Sequence, residues 1–264
     1  MTRKTPRPWV LVTGASGGIG LELACGFARD GHPLVLTARS TERLAAAAAA
    51  CRERGAPRVE TIPLDLGAPE GAAALARREI VPGVLVNNAG YGLLGEFVTL
   101  AVEDELAMVR LNVLAVVELT KRLLPGILAA GPEGGVLNVA STAAYQPGPY
   151  MASYYATKAF VLSWSEALAV ELAGRTRVTC LCPGPVLTGF QERAGISTGI
   201  PLFSGLVPLL GVGAVARVGL RAFRRGRAVA VAGFVNRAGA VLVRLLPRGL
   251  VARIVGRLQR RSEA

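Results

Sequence analysis

Tyr154 and Lys158 stand four residues apart in Ser153-Tyr154-Tyr155-Ala156-Thr157-Lys158, thirteen residues after Ser141. Residues at i and i+4 share one face of a helix, about 5–6 Å apart at Cβ. An ammonium beside a phenol favours the phenolate, so a group with an ordinary pKa near ~10 would trade protons closer to neutrality. Lowering it by about three units takes roughly 4 kcal/mol of differential stabilisation. One lysine and a second cation would supply that in a poorly hydrated cleft. Neighbouring Tyr155 is only three residues from Lys158, and the i,i+4 geometry favours Tyr154. The spacing predicts an acid–base site, although Tyr-x-x-x-Lys alone recurs by chance in many helices.

What must position the pair is legible near the start of the chain. The apolar run Trp9-Val10-Leu11-Val12 leads into Thr13-Gly14-Ala15-Ser16-Gly17-Gly18-Ile19-Gly20, and the apolar-periodic stretch Leu21 to Ala28 follows. Strand, glycine-rich turn and helix start together present backbone N–H groups to a phosphate. Gly14 would take the tight turn, Gly18 would admit a pyrophosphate, and Gly20 would let helix pack close on strand. Further strand-like runs (33–36, 58–64, 81–86, 135–140, 177–182) alternate with Ala/Leu-rich helical stretches. That order predicts an α/β fold, a doubly wound parallel sheet of about seven strands with helices on both faces. The 264 residues, 52% of them hydrophobic, suffice for one such domain.

Metal chemistry is not expected. Cys25, Cys51, Cys180 and Cys182 form no ligand-like spacing, and His32, the single histidine, sits in a Gly-His-Pro turn. Cys180 and Cys182 are expected on opposite faces of their strand. The basic N-terminus lacks a signal-type apolar segment, and no apolar run is long enough to span a bilayer, so a cytoplasmic location is expected.

With these residues on the page, the chain resembles the short-chain dehydrogenase/reductase family, strongly over residues 8 to about 190. The resemblance rests on Thr13-Gly14-x-x-x-Gly18-Ile19-Gly20, on Asn87-Asn88-Ala89-Gly90, and on Asn112, Ser141, Tyr154 and Lys158 at the spacing of that family's catalytic tetrad. Pro183-Gly184-Pro185-Val186-Leu187-Thr188 resembles its Pro-Gly segment. The resemblance implies a Rossmann fold, and a nicotinamide dinucleotide lying along Gly14, Ser16, Gly17, Gly18, Ile19 and Gly20. It implies that Asp65 fixes the adenine amino group, Leu66 lines its pocket, and Asn88, Ala89 and Gly90 pass beneath the adenosine ribose. Val186 and Thr188 would hold the nicotinamide carboxamide, and Pro183 and Gly184 would also contact the cofactor. Asn87 would be structural.

In that reading Tyr154 exchanges the proton with the carbonyl oxygen and Ser141 holds that oxygen. Lys158 tunes the tyrosine and binds the nicotinamide ribose, while Asn112 anchors a water that relays protons to Lys158. No acid follows the second strand; Arg39 stands 19 residues past Gly20 instead. A guanidinium there suits a 2′-phosphate through paired charge-assisted bonds, so NADP(H) is expected over NAD(H). The reaction expected is reduction of a carbonyl, or oxidation of the matching alcohol. The apolar stretch of about 188–213 suggests a lipophilic small-molecule substrate beneath a substrate loop. A cofactor-binding regulatory or membrane-peripheral scaffold of the same fold, with little turnover, is the alternative.

Charge is lopsided. The chain carries +12 overall, and residues 215–264 hold twelve arginines against Glu263. Residues 1–235 are read as the catalytic domain and 236–264 as a basic amphipathic helical extension. Its arginines would either meet anionic lipid, making the protein membrane-peripheral, or face water while the apolar side packs on the domain. A protein partner or an acidic ligand such as an acyl-CoA stays open. Nucleic acid is not expected, because the tail has few aromatics and no binding motif. A homodimer through helices near 102–130 and 150–173 is expected, since the family's usual closing Asp-Gly-Gly segment is absent.

Overall fold

Val10-Leu11-Val12-Thr13 and Val84-Leu85-Val86-Asn87 are buried along their whole length, as strands covered on both faces must be. The computed structural model describes residues 7–186 and 209–259. In it seven strands form one parallel sheet in the order 3-2-1-4-5-6-7. They are β1 (Val10–Thr13), β2 (Leu34–Ala38), β3 (Val59–Pro63), β4 (Val84–Asn87), β5 (Gly135–Val139), β6 (Arg177–Cys182) and β7 (Val229–Val231). The doubly wound single-domain architecture read from the sequence is the one observed.

One face of the sheet is covered by α1 (Gly18–Arg29), α2 (Thr41–Glu53) and α7 (Val212–Arg224), through Leu23, Phe27, Leu44, Leu220 and Phe223. The other carries α3 (Gly71–Ala76), α5 (Ala115–Ala129) and α6 (Ala152–Glu171), with Leu75, Leu119, Leu123, Ile127 and Leu172 in its core. The helix expected from Val102 is real but interrupted. It comprises α4 (Val102–Val109), a π-helical turn over Arg110–Leu114 and then α5. Such turns splay the backbone and recur at functional sites.

Beyond β7 the chain forms α8 (Phe234–Leu245) and α9 (Arg248–Gln259). Val251 and Val255 of α9 are buried, and Ile254 faces outward. The Val251, Val255, Gln259 spacing of four defines the inward stripe, and Ile254 lies about 100° away from it. One expectation fails at Cys180 and Cys182. Alternate residues of a strand point to the same face, and the two sulfurs lie 4.0 Å apart. Most of the expected substrate loop, with Thr188, lies outside the described residues.

Candidate active site

The strand order turns back between β1 and β4, so a crevice opens at their carboxyl ends, where open α/β sheets take ligands. One hydroxyl ties its two walls together. Thr13 Oγ1 donates to the Val86 carbonyl at 3.2 Å and accepts from the N–H groups of Asn88 and Ala89, each at 3.0 Å. The Asn88 amide in turn donates to the carbonyls of Thr13 (2.9 Å) and Gly14 (3.1 Å).

The glycines answer to that packing. Gly14 has φ +63°, and a Cβ there would lie 2.8 Å from Asn88 Nδ2. A Cβ on Gly20 would lie 2.4 Å from both Asn88 Nδ2 and the Gly14 carbonyl. Gly20 thus sits behind the cleft as a packing residue, while Gly14, Ser16, Gly17, Gly18 and Ile19 line it. Glycine-only backbone at a helix start, opening into a cleft of about 1050 Å³, fits a dinucleotide with room for a second molecule.

Beyond the end of β3, Asp65 Oδ1 accepts from Gly67 N at 2.8 Å, which fixes the carboxylate at the rim of the cleft. Leu66, Asn88, Ala89 and Gly90 line the cleft beside it. Arg39 is exposed at the end of β2 and also lines the cleft. Sequence reading missed Arg43. Its Nη2 lies 3.1 Å from where a Cβ on Gly17 would be, so a second guanidinium overlooks the glycine turn. The signal was present: Arg39 and Arg43 are four residues apart, with Ser40 between them capping α2 by accepting from Arg43 N.

The reactive end rests on a buried polar ladder. Asn87 Nδ2 donates to Asn138 Oδ1 (2.8 Å) and to Thr120 Oγ1 (3.1 Å), and Asn138 Nδ2 donates to Ser165 Oγ (2.8 Å). Asn87 is the structural tie between strands that the sequence suggested, and the ladder continues into α6. On α6, Tyr154 and Lys158 both reach the cleft, and Ser141, at the end of β5, meets Tyr154 by a hydrogen bond. Ser141 Oγ also accepts from Ala143 N, capping the short turn Thr142–Tyr145.

Asn112 sits behind this group rather than on the cleft. Its amide donates to the Tyr91 carbonyl (2.9 Å) and to Thr157 Oγ1 (3.1 Å), and its oxygen accepts from Tyr91 N. Both donors are therefore committed to bracing the segment after β4 against α6. A water held here would bond the second lone pair of Oδ1 or the π-turn backbone.

The electrostatics differ from the sequence expectation. Burial pushes the Tyr154 phenol above its ordinary value, and the Ser141 hydrogen bond offsets part of that rise. Burial also lowers Lys158, to about 8. Desolvation is the largest cause for both groups, and Lys158 Nζ donates to the Val139 carbonyl at 3.0 Å.

Pro183, Gly184 and Val186 line the cleft after β6. Gly184 is pressed by Asn236 of α8. The inner side of α8 (Val235, Asn236, Gly239, Ala240, Val243) forms a wall of the cleft, and Gln259 of α9 reaches it too. Val251 and Val255 pack with Met151, Tyr154 and Tyr155. These contributions were not foreseen, because the tail's arginine count drew attention to its outer side.

The short chain dehydrogenase family profile matches residues 8–197, about seven-tenths of the chain. The chain belongs to the short-chain dehydrogenase family. Its chemistry is accordingly nicotinamide-dependent oxidoreduction between alcohol and carbonyl groups. Proteins similar to it include the ketoacyl reductase HetN of Nostoc sp., 33% identical over 203 residues covering 72% of this chain and 70% of that protein. A very-long-chain 3-oxoacyl-CoA reductase of Pyrenophora tritici-repentis is 31% identical over 73% of this chain and 59% of its own length. The 11-beta-hydroxysteroid dehydrogenase 1A of Arabidopsis thaliana is 34% identical, and the chain spans about half of it (51%). Among solved structures, a short-chain dehydrogenase from Sphingobium yanoikuyae in complex with NADPH superposes with a TM-score of 0.78 at 33% identity, covering 92% of this chain and 94% of that one. A bulky-bulky ketone specific alcohol dehydrogenase from Comamonas testosteroni gives 0.75 at 28% identity, over 92% and 96%.

Proposed function

We propose that this protein is an NADPH-dependent reductase of lipophilic ketones or aldehydes, with Tyr154 as the proton donor. The observation that carries the reading is the meeting of Tyr154, Ser141 and Lys158 at one end of a glycine-floored cleft. The cofactor supplies the hydride. The chain's residues do the rest: Ser141 and Tyr154 hold the substrate oxygen, and Tyr154 gives it a proton as negative charge develops there. Lys158, beneath them, returns protons to the phenol and braces the nicotinamide ribose. Asn112 would anchor a water that relays protons to Lys158. Thr188 and the neighbouring substrate loop would complete the nicotinamide end.

Arg39 and Arg43 at the adenosine end, with no acid among residues 34–40, support NADPH over NADH. A wall containing Met151, Leu94 and Val243 supports an apolar substrate. Exposed Val102, Leu106 and Leu114, together with Phe160 and Val170 of α6, support a homodimer through these helices. The outer side of α8 (Phe234, Val241, Leu242, Leu245) is exposed and apolar beside Arg237 and Arg244, which supports contact with anionic lipid. No helix among the described residues is long and apolar enough to cross a membrane.

The test follows NADPH oxidation across a panel of small and lipid-like carbonyls. Turnover that vanishes in Tyr154→Phe, while NADPH still binds, is expected. A protein that binds NADPH and reduces nothing in the panel would be the scaffold of the alternative reading. Flotation with vesicles containing phosphatidylglycerol, but not with pure phosphatidylcholine vesicles, is the outcome expected of the α8 surface.

A further inference from the structure

Gln259 is buried to 2% exposure at the end of α9, yet it lines the cleft. Its Nε2 donates to the Tyr155 hydroxyl. Among the described residues its Oε1 has no hydrogen-bond partner. A buried acceptor without a donor costs free energy comparable to a lost hydrogen bond, and native sites rarely keep one idle.

The surroundings say where that acceptor points. Tyr155 is adjacent to the catalytic tyrosine, and the two rings stand edge to face with centroids 6.0 Å apart. Gln146 also hydrogen-bonds Tyr155, so Gln146, Tyr155 and Gln259 form a polar spot in an otherwise apolar wall that includes Leu94, Met151 and Val243. α9 is held in place by Val255 and Val251, one and two turns before Gln259, which pack with Met151 and Tyr154. The amide is thus set by its helix and by Tyr155, and its oxygen is the unmatched group.

Resting on the carbonyl-reductase reading, we propose that Gln259 Oε1 is a substrate subsite that accepts a hydrogen bond from a hydroxyl or amide N–H remote from the reacting carbonyl. The substrate class is then an apolar ketone or aldehyde that carries one such donor. Gln259 is a specificity residue, since it touches the substrate away from the reacting atoms. A site that leaves an acceptor unpaired rejects the analogue lacking the donor, by about tenfold to a hundredfold for one neutral bond.

The experiment measures kcat/KM with NADPH for matched triads of ketones: benzylacetone, its para-hydroxy derivative and its para-methoxy ether, then longer-chain triads built the same way. The ratios within one preparation cancel differences in folded fraction. The hydroxy compound is expected to exceed the parent and the ether by tenfold or more in at least one triad. In Gln259→Leu that ratio should fall within about twofold, and in Gln259→Glu, which keeps an acceptor, it should persist. Equal use of all three members in every triad, preference for the ether, or a ratio that survives Gln259→Leu would overturn the subsite alone. NADPH binding without reduction of any member would overturn the reductase reading, and the subsite with it.

Discussion

Lys158 Nζ stands 5.8 Å from the centre of the Tyr154 ring and donates to the carbonyl of Val139. The lysine is anchored to the end of β5, one helical turn from the phenol. Two groups that lose water together each resist charge, so their titration reports the cleft's dryness more than their mutual attraction.

Lys158 should therefore make stability depend on pH. Its value falls from an ordinary 10.5 to about 8 in the folded chain. The unfolded chain binds more protons between those values, so stability rises with pH across about 8 to 10.5 and the full cost is present below 8. The shift corresponds to about 3 kcal/mol. Lys158→Met removes that cost and leaves the Val139 carbonyl without its donor, which takes back about 1 kcal/mol. Urea denaturation at pH 7 and pH 10 should show the variant more stable than wild type at pH 7, with the gap shrinking at pH 10. A gap that does not change with pH would contradict the assignment.

Tyr154→Phe should lower kcat by about a hundredfold or more, the usual scale of a general acid. Tyr155→Phe should lose far less, since that hydroxyl faces Gln146 and Gln259. NADPH binding, followed by cofactor fluorescence, should persist in both. Inverted results would exchange the roles of the two tyrosines.

Arg39→Ala and Arg43→Ala should each raise KM for NADPH while changing KM for NADH little. Loss of one charge-assisted contact is worth about 1.5–3 kcal/mol, or roughly tenfold to a hundredfold. The double variant should bring the two cofactors close together. An unchanged NADPH-to-NADH ratio would remove both guanidinia from the phosphate.

Asn138→Ala should destabilise the fold and disturb the site at a distance. It strands one donor of Asn87 and the acceptor of Ser165, at about 1–3 kcal/mol for each buried group left unpaired. The midpoint of thermal unfolding should fall by several degrees. A midpoint equal to wild type would mean that the ladder contributes nothing.

The glycine turn and the sheet were legible because both follow local rules. Val10–Thr13 reads as a buried strand, and only glycine fits the packed, positive-φ corner at Gly14. Tyr154, Lys158 and Ser141 were legible from their spacing within a recognisable frame. Gln259 and Asn236 were not, because a cleft wall built by a late helix depends on how that helix is laid across the sheet. Nothing in its own periodicity shows that. Arg43 lay within reach of the same i,i+4 argument applied to Tyr154 and Lys158. The depressed Lys158 value was hidden because it reflects burial among residues distant in sequence.

The oxygen of Thr13 splices the first three strands to the rest of the sheet, accepting two N–H groups that arrive some seventy-five residues later. A chain that has assembled only β1, β2 and β3 has the phosphate corner without its floor. Nucleotide added during refolding should then speed only the late docking of β4, and a severed fragment that ends before β4 should not capture it at all.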